Sequence, residues 1–352
     1  MKQTKKNILN SYPELELTVC GDFKIKDDYV SQYEIFDFHC HLFQGLEEMY
    51  PPLLKKEKHS LDVSLFDRSC FPFTYNLFNL DMVYYTGFPD RLLSRDGLLT
   101  RMKLKTGVFA LNYATPERLL HDMKLNHITK ALVLQINPPN KNSSIKMQKI
   151  VDQQPELMTF GSVHPYDVDP ISKIEDYLSK DIKGWKLDPH VWGVPIDCDE
   201  SINLLKKLDL TGLPILSCSG CGATEEVMKK AIFSKKSKRN LTTQRIQKFY
   251  KVMESISNST FIFAHGGLFE VDLLIELMLK YPNTYTDISV QTPQNIRKLI
   301  NALGSERLLF GTDYPFVNHA FSILSVLRAT ANEEDRENIF SRNAHKILDI
   351  NT

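Results

Sequence analysis

The sequence predicts a single α/β domain, a (β/α)8 TIM barrel with a largely helical insertion after its first strand. Three observations point to this fold class. Short apolar runs rich in β-branched residues alternate with longer stretches of helical periodicity, which is the pattern of repeated βα units around a parallel sheet. The runs number eight, which closes a barrel. The chain, at 352 residues, is long enough for one barrel with additional segments.

The elements follow in chain order from these patterns. The candidate strands are the apolar runs at residues 34–41, 130–137, 158–164, 182–188, 214–219, 260–265, 284–289 and 307–313. The stretches between them predict helices at residues 116–126, 169–180, 199–210, 268–280 and 293–303, several of which begin with Asp or Pro, as helix starts prefer. A last helix at residues 333–348 is expected to pack beneath the barrel.

We predict that residues 1–352 form one domain with two additions. Residues 1–33 form an N-terminal extension ahead of the first strand. Residues 43–115, rich in Phe, Tyr, Pro and Leu, separate the first strand from its helix by far more than the usual loop of about 2–6 residues. We expect this insertion to form a largely helical lid, which could close an apolar pocket over a substrate.

Composition excludes several classes of protein. With 42% hydrophobic and 24% charged residues the chain has ordinary globular composition, and its net charge of zero lacks the positive field of a dedicated nucleic-acid binder. No apolar stretch approaches the ~20 residues that span a bilayer, and the six cysteines lack the spacing of a disulfide scaffold. We therefore expect a cytoplasmic protein that binds a small molecule and has neither nucleic acid nor membrane as a partner.

Potential metal ligands end six of the eight candidate strands. Barrel enzymes carry their chemistry at the C-terminal ends of the strands, so these residues are the candidates for function. They are His39, Cys40 and His41, His164, Asp188 and His190, Cys218 and Cys221, His265, and Asp313.

The first and last strands carry the strongest signals. His39 and His41 are two residues apart, so their imidazoles point to one side of the strand while Cys40 points to the other. This spacing predicts a bidentate metal chelate. Asp313 follows an apolar run that delivers its carboxylate to the rim of the barrel, although a helix cap is the alternative interpretation.

Five motifs together resemble the amidohydrolase-related branch of the metal-dependent amidohydrolase superfamily, the aminocarboxymuconate-semialdehyde-decarboxylase-like proteins. They are FDFHCH at 36–41, GWKLDPH at 184–190, FAHGG at 263–267, LFGTDYP at 309–315 and NAHKIL at 343–348. The resemblance implies a (β/α)8 barrel in which His39, His41, a ligand on the fifth strand and Asp313 hold one divalent metal ion, most often Zn²⁺. It also implies that His265 is a catalytic or second-metal group.

The sequence departs from this family on two strands. Cys218 stands where the family has the histidine of the fifth strand, and Asp188 precedes a proline where the family commonly has histidine. A thiolate is a good zinc ligand, at ~2.3 Å, but it would make the metal a poorer Lewis acid. The alternatives are that His265 is the third ligand or that the site is degenerate. Cys218 and Cys221 could instead serve redox chemistry, and we interpret Lys186 as a barrel residue rather than a carbamylated metal bridge.

We expect a metal-dependent hydrolase in which metal-activated water attacks a C–N or C–O bond of a small carboxylated or cyclic substrate. Asp313 is then the general base, and His265 stabilises the developing oxyanion or donates a proton. The residues expected to contact the substrate are His164, His190 and Asp188. One alternative is a nonoxidative decarboxylase, in which Asp313 and His265 protonate the carbon that loses CO₂. A second is a metal-poor barrel that only binds a ligand. The family resemblance suggests a homodimer.

Overall fold

The computed structural model describes residues 9–19, 23–42, 114–135, 139–180, 182–222 and 242–350. The first two strands, β1 (Leu15–Leu17) and β2 (Phe23–Ile25), form an antiparallel hairpin. Eight strands follow, and each overlaps one of the eight predicted runs. These are β3 (Ile35–Cys40), β4 (Ile128–Val133), β5 (Leu157–Thr159), β6 (Trp185–Leu187), β7 (Ile215–Cys218), β8 (Phe261–Ala264), β9 (Thr284–Asp287) and β10 (Leu308–Leu309).

The eight strands pair in parallel, in chain order, as β3–β4–β5 and as β6–β7–β8–β9–β10. Isolated parallel bridges link the two sheets at both junctions, from Gly161 to Trp185 and from Cys40 to Tyr314. At the second junction the backbone N–H of Phe38 also donates to the carbonyl of Phe310 at 2.8 Å. The predicted fold class, an α/β TIM barrel, is confirmed.

Helices cover the strands, and the five predicted between the first and last strands are present. Three of them begin with a capping side chain and a first-turn Pro: Thr115, Asp169 and Thr292 each accept a hydrogen bond from a backbone N–H. The helices are α1 (Pro116–Leu125), α2 (Ser143–Val151), α3 (Pro170–Leu178), α4 (Pro189–Trp192), α5 (Asp199–Asp209), α6 (Phe249–Met253), α7 (Val271–Lys280), α8 (Pro293–Leu303), α9 (His319–Ala329), α10 (Glu333–Glu337) and α11 (Asn343–Leu348).

The end of the chain closes the bottom of the barrel, as predicted. The predicted helix at 333–348 is divided, because a π-helical segment, Asn338–Arg342, joins α10 to α11. Ala344 and Leu348 of α11 pack with the apolar side chains that fill the barrel interior, Phe36, Phe38, Leu132, Phe160, Leu216, Ile262 and Leu309. Since Phe36 is the second residue of β3, α11 covers the N-terminal ends of the strands and leaves the opposite end for the polar residues.

The part of the N-terminal extension that is described packs against α9. The ring of Phe23 lies 5.3 Å from that of Phe321, and Arg328 forms an ion pair with Glu14 at 3.0 Å. The predicted lid, 43–115, lies outside the described residues except for its last two. No helix among the described residues is long and apolar enough to cross a membrane.

Candidate metal centre

The end of β3 places both histidines on one side. A register shift in the pairing of β3 with β4 lies between Asp37 and Cys40. Phe38 packs in the barrel interior, and the next residue, His39, also faces the interior, where it lies close to Lys186 and His265. Cys40 joins the core outside the barrel. His39 and His41 therefore face the same region, as their spacing predicts.

Hydrogen bonds fix the tautomers of these two histidines. The Nδ1 atom of His41 lies 2.7 Å from the carbonyl oxygen of Leu134, which can only accept, so Nδ1 carries the proton. The Nδ1 atom of His39 lies 2.8 Å from Oδ2 of the buried Asp287 and donates to this carboxylate. In its neutral form each imidazole therefore presents a lone pair at Nε2, which is the arrangement that metal-ligating histidines adopt.

His265 is held in the same tautomer. Its Nδ1 atom lies 2.7 Å from the hydroxyl of Ser289, whose own proton is donated to Oδ1 of Asp287. The hydroxyl must therefore accept from Nδ1, and Nε2 of His265 is left with its lone pair. The ring of His265 lies 4.5 Å from that of His39. Asp287 thus orients both histidines, one directly and one through Ser289.

Acceptor atoms face one another at the centre of this group. Oδ1 of Asp313 lies 3.2 Å from Nε2 of His41 and 3.9 Å from Nε2 of His39. Burial lowers the pKa of His39 well below its ordinary value, with Lys186 adding to the effect, and so favours the neutral imidazole. Burial also raises the pKa of Asp313, although His41 opposes this rise. Buried lone pairs directed at a carboxylate call for a cation between them.

Asp313 is placed by a second buried carboxylate. Asp37 accepts hydrogen bonds from the backbone N–H of His39 at 3.1 Å and from that of Thr312 at 3.0 Å. The backbone N–H of Asp313 in turn donates to the carbonyl of His39 at 2.7 Å. Asp313 has a φ of 58°, a left-handed conformation that these contacts hold. Asp37 therefore ties the ends of the first and last barrel strands together.

Cys218 lies near His39 and His265, and a lysine contacts it. Its Sγ is 3.0 Å from Nζ of Lys186 and 3.5 Å from Nε2 of His265. Nζ of Lys186 also lies 3.4 Å from Nε2 of His39. Burial and the nearby Asp188 raise the pKa of Cys218 well above its ordinary value. Burial acts to lower the pKa of Lys186, but its contacts with Cys218 and the nearby Asp188 outweigh burial, so the pKa is raised.

Two glycine-containing loops bring Cys218 and His265 together. Gly220 and Gly267 have φ values of 85° and 75°, which favour glycine. A Cβ added to Gly220 would lie 1.9 Å from the carbonyl oxygen of Gly267. The loops that follow β7 and β8 can approach this closely only because a side chain is missing there.

The predicted substrate contacts lie at different distances from the cluster. Asp188 caps α4 by accepting from the backbone N–H of Val191, and its Oδ2 is 3.5 Å from Sγ of Cys218. The buried ring of His164 lies 5.0 Å from that of Trp192, and burial lowers the pKa of His164 to about 4. His190 lies half-buried on α4, and no described contact joins it to the cluster. Their contact with substrate stays a prediction.

Four residues of the site were not predicted from the sequence. Asp287 and Ser289 orient the histidines, Asp37 places Asp313, and Lys186, interpreted as a barrel residue, lies inside the cluster. For Asp37 and Lys186 the available signal was a carboxylate or an ammonium group within an otherwise apolar strand. Such a group is seldom fully buried unless it is paired.

The donors of the site fit a divalent metal ion. Among the described residues, two groups of three have ligand atoms within 4.8 Å of one another: His39, His41 and Asp313, and His39, Cys218 and His265. Imidazole nitrogen, carboxylate oxygen and thiolate are the donors that zinc takes in proteins, and the first set also suits other divalent metals.

Comparison with known proteins identifies the family of the chain. The family model described as amidohydrolase matches residues 37–350. A segment of 94 residues is 36% identical to 2-amino-3-carboxymuconate-6-semialdehyde decarboxylase of Caenorhabditis elegans. This segment covers 25% of the chain and 23% of the relative's length.

Solved structures show the same fold at low sequence identity. The chain superposes on 5-carboxyvanillate decarboxylase of Sphingomonas paucimobilis with a TM-score of 0.58 and 15% identity, covering 91% of this chain and 100% of that one. The chain also superposes on the enzyme of the same name from Novosphingobium aromaticivorans, complexed with manganese and 4-hydroxy-3-methoxy-5-nitrobenzoic acid. The TM-score is 0.57 and the sequence identity is 13%, and the match covers 93% of this chain and 98% of that one. With a family match that extends over most of its length, the chain belongs to the amidohydrolase family and is an enzyme of that superfamily.

Proposed function

We propose that the protein is a metal-dependent nonoxidative decarboxylase of a small carboxylated, conjugated substrate. The observation that carries this proposal is that the Caenorhabditis relative and both superposed structures are decarboxylases. Hydrolysis, the first expectation from the sequence, has less support from these comparisons. The donor set is consistent with the choice, because Cys218 as a thiolate ligand would make the metal ion a weaker activator of water.

In this proposal His39, His41 and Asp313 hold the metal ion. When bound, the ion supplies positive charge that fixes an anionic substrate and withdraws electron density from it. Zn²⁺ is our assignment for a site with two imidazoles and a carboxylate, and Mn²⁺ is the alternative suggested by the Novosphingobium structure. Cys218 as a fourth ligand stays a prediction.

Asp313 and His265 serve as the acid–base pair of the reaction. The bond between the substrate carbon and its carboxylate breaks, CO₂ leaves, and the electron pair stays on the carbon. That carbon then takes a proton, which Asp313 or His265 delivers and water replaces, so RCO₂⁻ and H⁺ yield RH and CO₂. Oδ1 of Asp313 lies 3.9 Å from Nε2 of His39 and the ring of His265 lies 4.5 Å from that of His39, so a substrate bound beside His39 would be within reach of both. We assign His164, His190 and Asp188 to the walls that contact the rest of the substrate.

Release of CO₂ tests the proposal. The metal-loaded protein is incubated in D₂O with 5-carboxyvanillate or 2-amino-3-carboxymuconate-6-semialdehyde carrying ¹³C in the carboxyl group. We expect ¹³CO₂ and one deuterium at the carbon that lost it, and neither in the His39→Ala/His41→Ala double variant, which should also lack metal by mass spectrometry.

Two outcomes would contradict the proposal. A product that gains ¹⁸O from labelled water without CO₂ would indicate a hydrolase. Equal, negligible metal content in the native chain and the double variant, even after reconstitution, would indicate a barrel that only binds a ligand.

A further inference from the structure

The register between the chain after β5 and β6 directs His164 to the mouth of the barrel. Gly161 forms a parallel bridge to Trp185, so three residues further along the same register sets His164 beside Asp188. Asp188 faces the cluster, because its Oδ2 lies 3.5 Å from Sγ of Cys218. Residues paired on neighbouring strands point to the same side of a sheet, so His164 faces the barrel interior as well.

His164 presents an N–H group to this interior. Its Nδ1 atom accepts a hydrogen bond from the backbone N–H of Tyr166 at 3.1 Å. Burial lowers the pKa of His164 to about 4, which favours the neutral ring at pH 7. The one proton of the neutral ring then lies on Nε2. None of the described residues accepts a hydrogen bond from this Nε2–H.

The indole of Trp192 supplies a second N–H group. Trp192 lies on α4, and its ring is 5.0 Å from that of His164. Its Nε1 atom is buried, and no acceptor for it is present among the described residues. A buried indole N–H usually has a hydrogen-bond partner. The other tryptophan of the chain, Trp185, meets this requirement by donating to Oγ1 of Thr211 at 2.9 Å.

The charges beside the two rings balance, as far as the described residues show. Asp167 accepts the backbone N–H of His164 at 2.9 Å and forms an ion pair with Lys173 at 2.8 Å. The carboxylate of Asp188 is offset by the ammonium of Lys186. This wall therefore offers two N–H donors without an excess of positive charge. Such a wall suits an uncharged acceptor, such as a carbonyl oxygen, better than an anion.

We propose that the Nε2–H of His164 and the Nε1–H of Trp192 form a specificity subsite for a carbonyl oxygen of the substrate, remote from its reacting carboxylate. The proposed metal ligands His41 and Asp313 follow β3 and β10, whereas this wall follows β5 and β6. A substrate with its carboxylate at the metal ion would direct a second group to this wall. The inference rests on the proposed function in this respect.

NMR spectra of the indole N–H groups test the inference without an assay of activity. The chain has two tryptophans, so its spectrum has two indole N–H signals, which Trp185→Phe or Trp192→Phe assigns. The Zn²⁺-loaded protein is titrated with 3-formylbenzoate and, separately, with 3-methylbenzoate, which lacks the oxygen. We expect the Trp192 signal to move downfield with the formyl compound and not with the methyl compound. The Trp185 signal should stay in place with both.

Affinities for the same two compounds give a second readout. The formyl compound should bind at least about fivefold more tightly, which is the typical contribution of one hydrogen bond. Trp192→Phe and His164→Phe each keep a ring without the N–H and should reduce this preference. Tyr166→Phe is the matched control, because it removes a hydroxyl from a neighbouring ring on a residue that is 52% exposed. This control should keep the preference.

Three results would overturn the inference. Equal affinities of the wild type for the two compounds, including no measurable binding of either, would show that this wall does not select an oxygen. A Trp192 signal that the formyl compound leaves in place would show that the indole does not bind it. A preference that persists in folded Trp192→Phe and His164→Phe variants would assign the oxygen to other residues.

The wild-type affinities decide even if the variants fail to fold. Metal content and release of ¹³CO₂ are measured separately from these titrations. A protein that binds metal and releases CO₂ but shows no preference for the formyl compound would contradict this inference alone. A protein that shows the preference but releases no CO₂ would contradict the proposed reaction alone.

Discussion

The hydrogen bond between His39 and Asp287 should set the affinity of the protein for its metal ion. Oδ2 of Asp287 accepts the Nδ1 proton of His39 at 2.8 Å, while Oδ1 accepts the backbone N–H groups of His265 and Ser289 at 3.1 and 3.0 Å. In Asp287→Asn the one remaining oxygen is held by these N–H groups, so the amide NH₂ faces His39. The imidazole proton must then move to Nε2, the atom that would ligate the metal.

The expected loss follows from the role of such partners. Removing the hydrogen-bond acceptor of a ligating histidine costs about 10–100-fold in metal affinity, or about 1.4–2.7 kcal/mol. Competition with a chromophoric chelator measures this change for Zn²⁺. Asp272→Asn is the matched control, because it makes the same chemical change at an exposed position. Asp272 lies on α7, where its side chain is 72% exposed and pairs with Lys298. This control should bind as the wild type does.

The substitution also breaks a buried charge-assisted hydrogen bond, which costs about 1.5–3 kcal/mol of stability. Affinities are therefore compared below the melting transition of the variant, as followed by circular dichroism. A cooperatively folded Asp287→Asn protein that binds Zn²⁺ as tightly as the wild type would refute the reasoning, because the tautomer of His39 would then not depend on Asp287.

Other predictions concern the backbone and the pH dependence. Gly220→Ala should lower the free energy of unfolding by more than about 4 kcal/mol because its Cβ would meet Gly267 at 1.9 Å, whereas Gly212→Ala, at a φ of 70° with no atom nearby, should cost only about 1–2 kcal/mol. Urea unfolding of both variants checks this, and equal losses would contradict it. His164 has its pKa lowered from 6.5 to about 4, so the unfolded chain binds a proton there that the folded chain does not. The free energy of unfolding should thus fall as the pH drops from about 6.5 to about 4. His164→Gln should reduce this dependence of stability on pH in melting experiments, and an unchanged dependence would contradict the lowered pKa of His164.

Strand positions and the main ligand candidates were accessible from the sequence because they depend on local pattern. The spacing of His39 and His41 predicts them as ligands, and the position of Asp313 after an apolar run does the same for that residue. No comparable sequence pattern marks Asp287, because it lies inside a predicted strand. Its hydrogen-bond partner, His39, is 248 positions away in the sequence. Its role follows only from the closed barrel, which brings β9 beside β3 across the interior.

The two longest helices that the sequence did not predict are α9 and α2. Nearly every residue of α9 is buried, so it lacks the polar face that produces a helical period in the sequence. α2 is short and follows a loop whose composition gave little indication of a helix. The predicted helix at 333–348 was correct in place but not in continuity, because a π-helical segment lies between α10 and α11.

The junction between β3 and the chain after β10 has a consequence for how the protein folds. The backbone contacts that join the barrel there, including those from Phe38 to Phe310 and from His41 to Tyr314, connect residues more than 270 positions apart. The same contacts bring Asp313 to His39 and His41. Bringing residues this far apart into contact has a high cost in chain entropy, so this closure is expected late in folding. Tight metal uptake should therefore report the final closure of the ring, and partly folded chains should bind metal weakly even when most of their strands are paired.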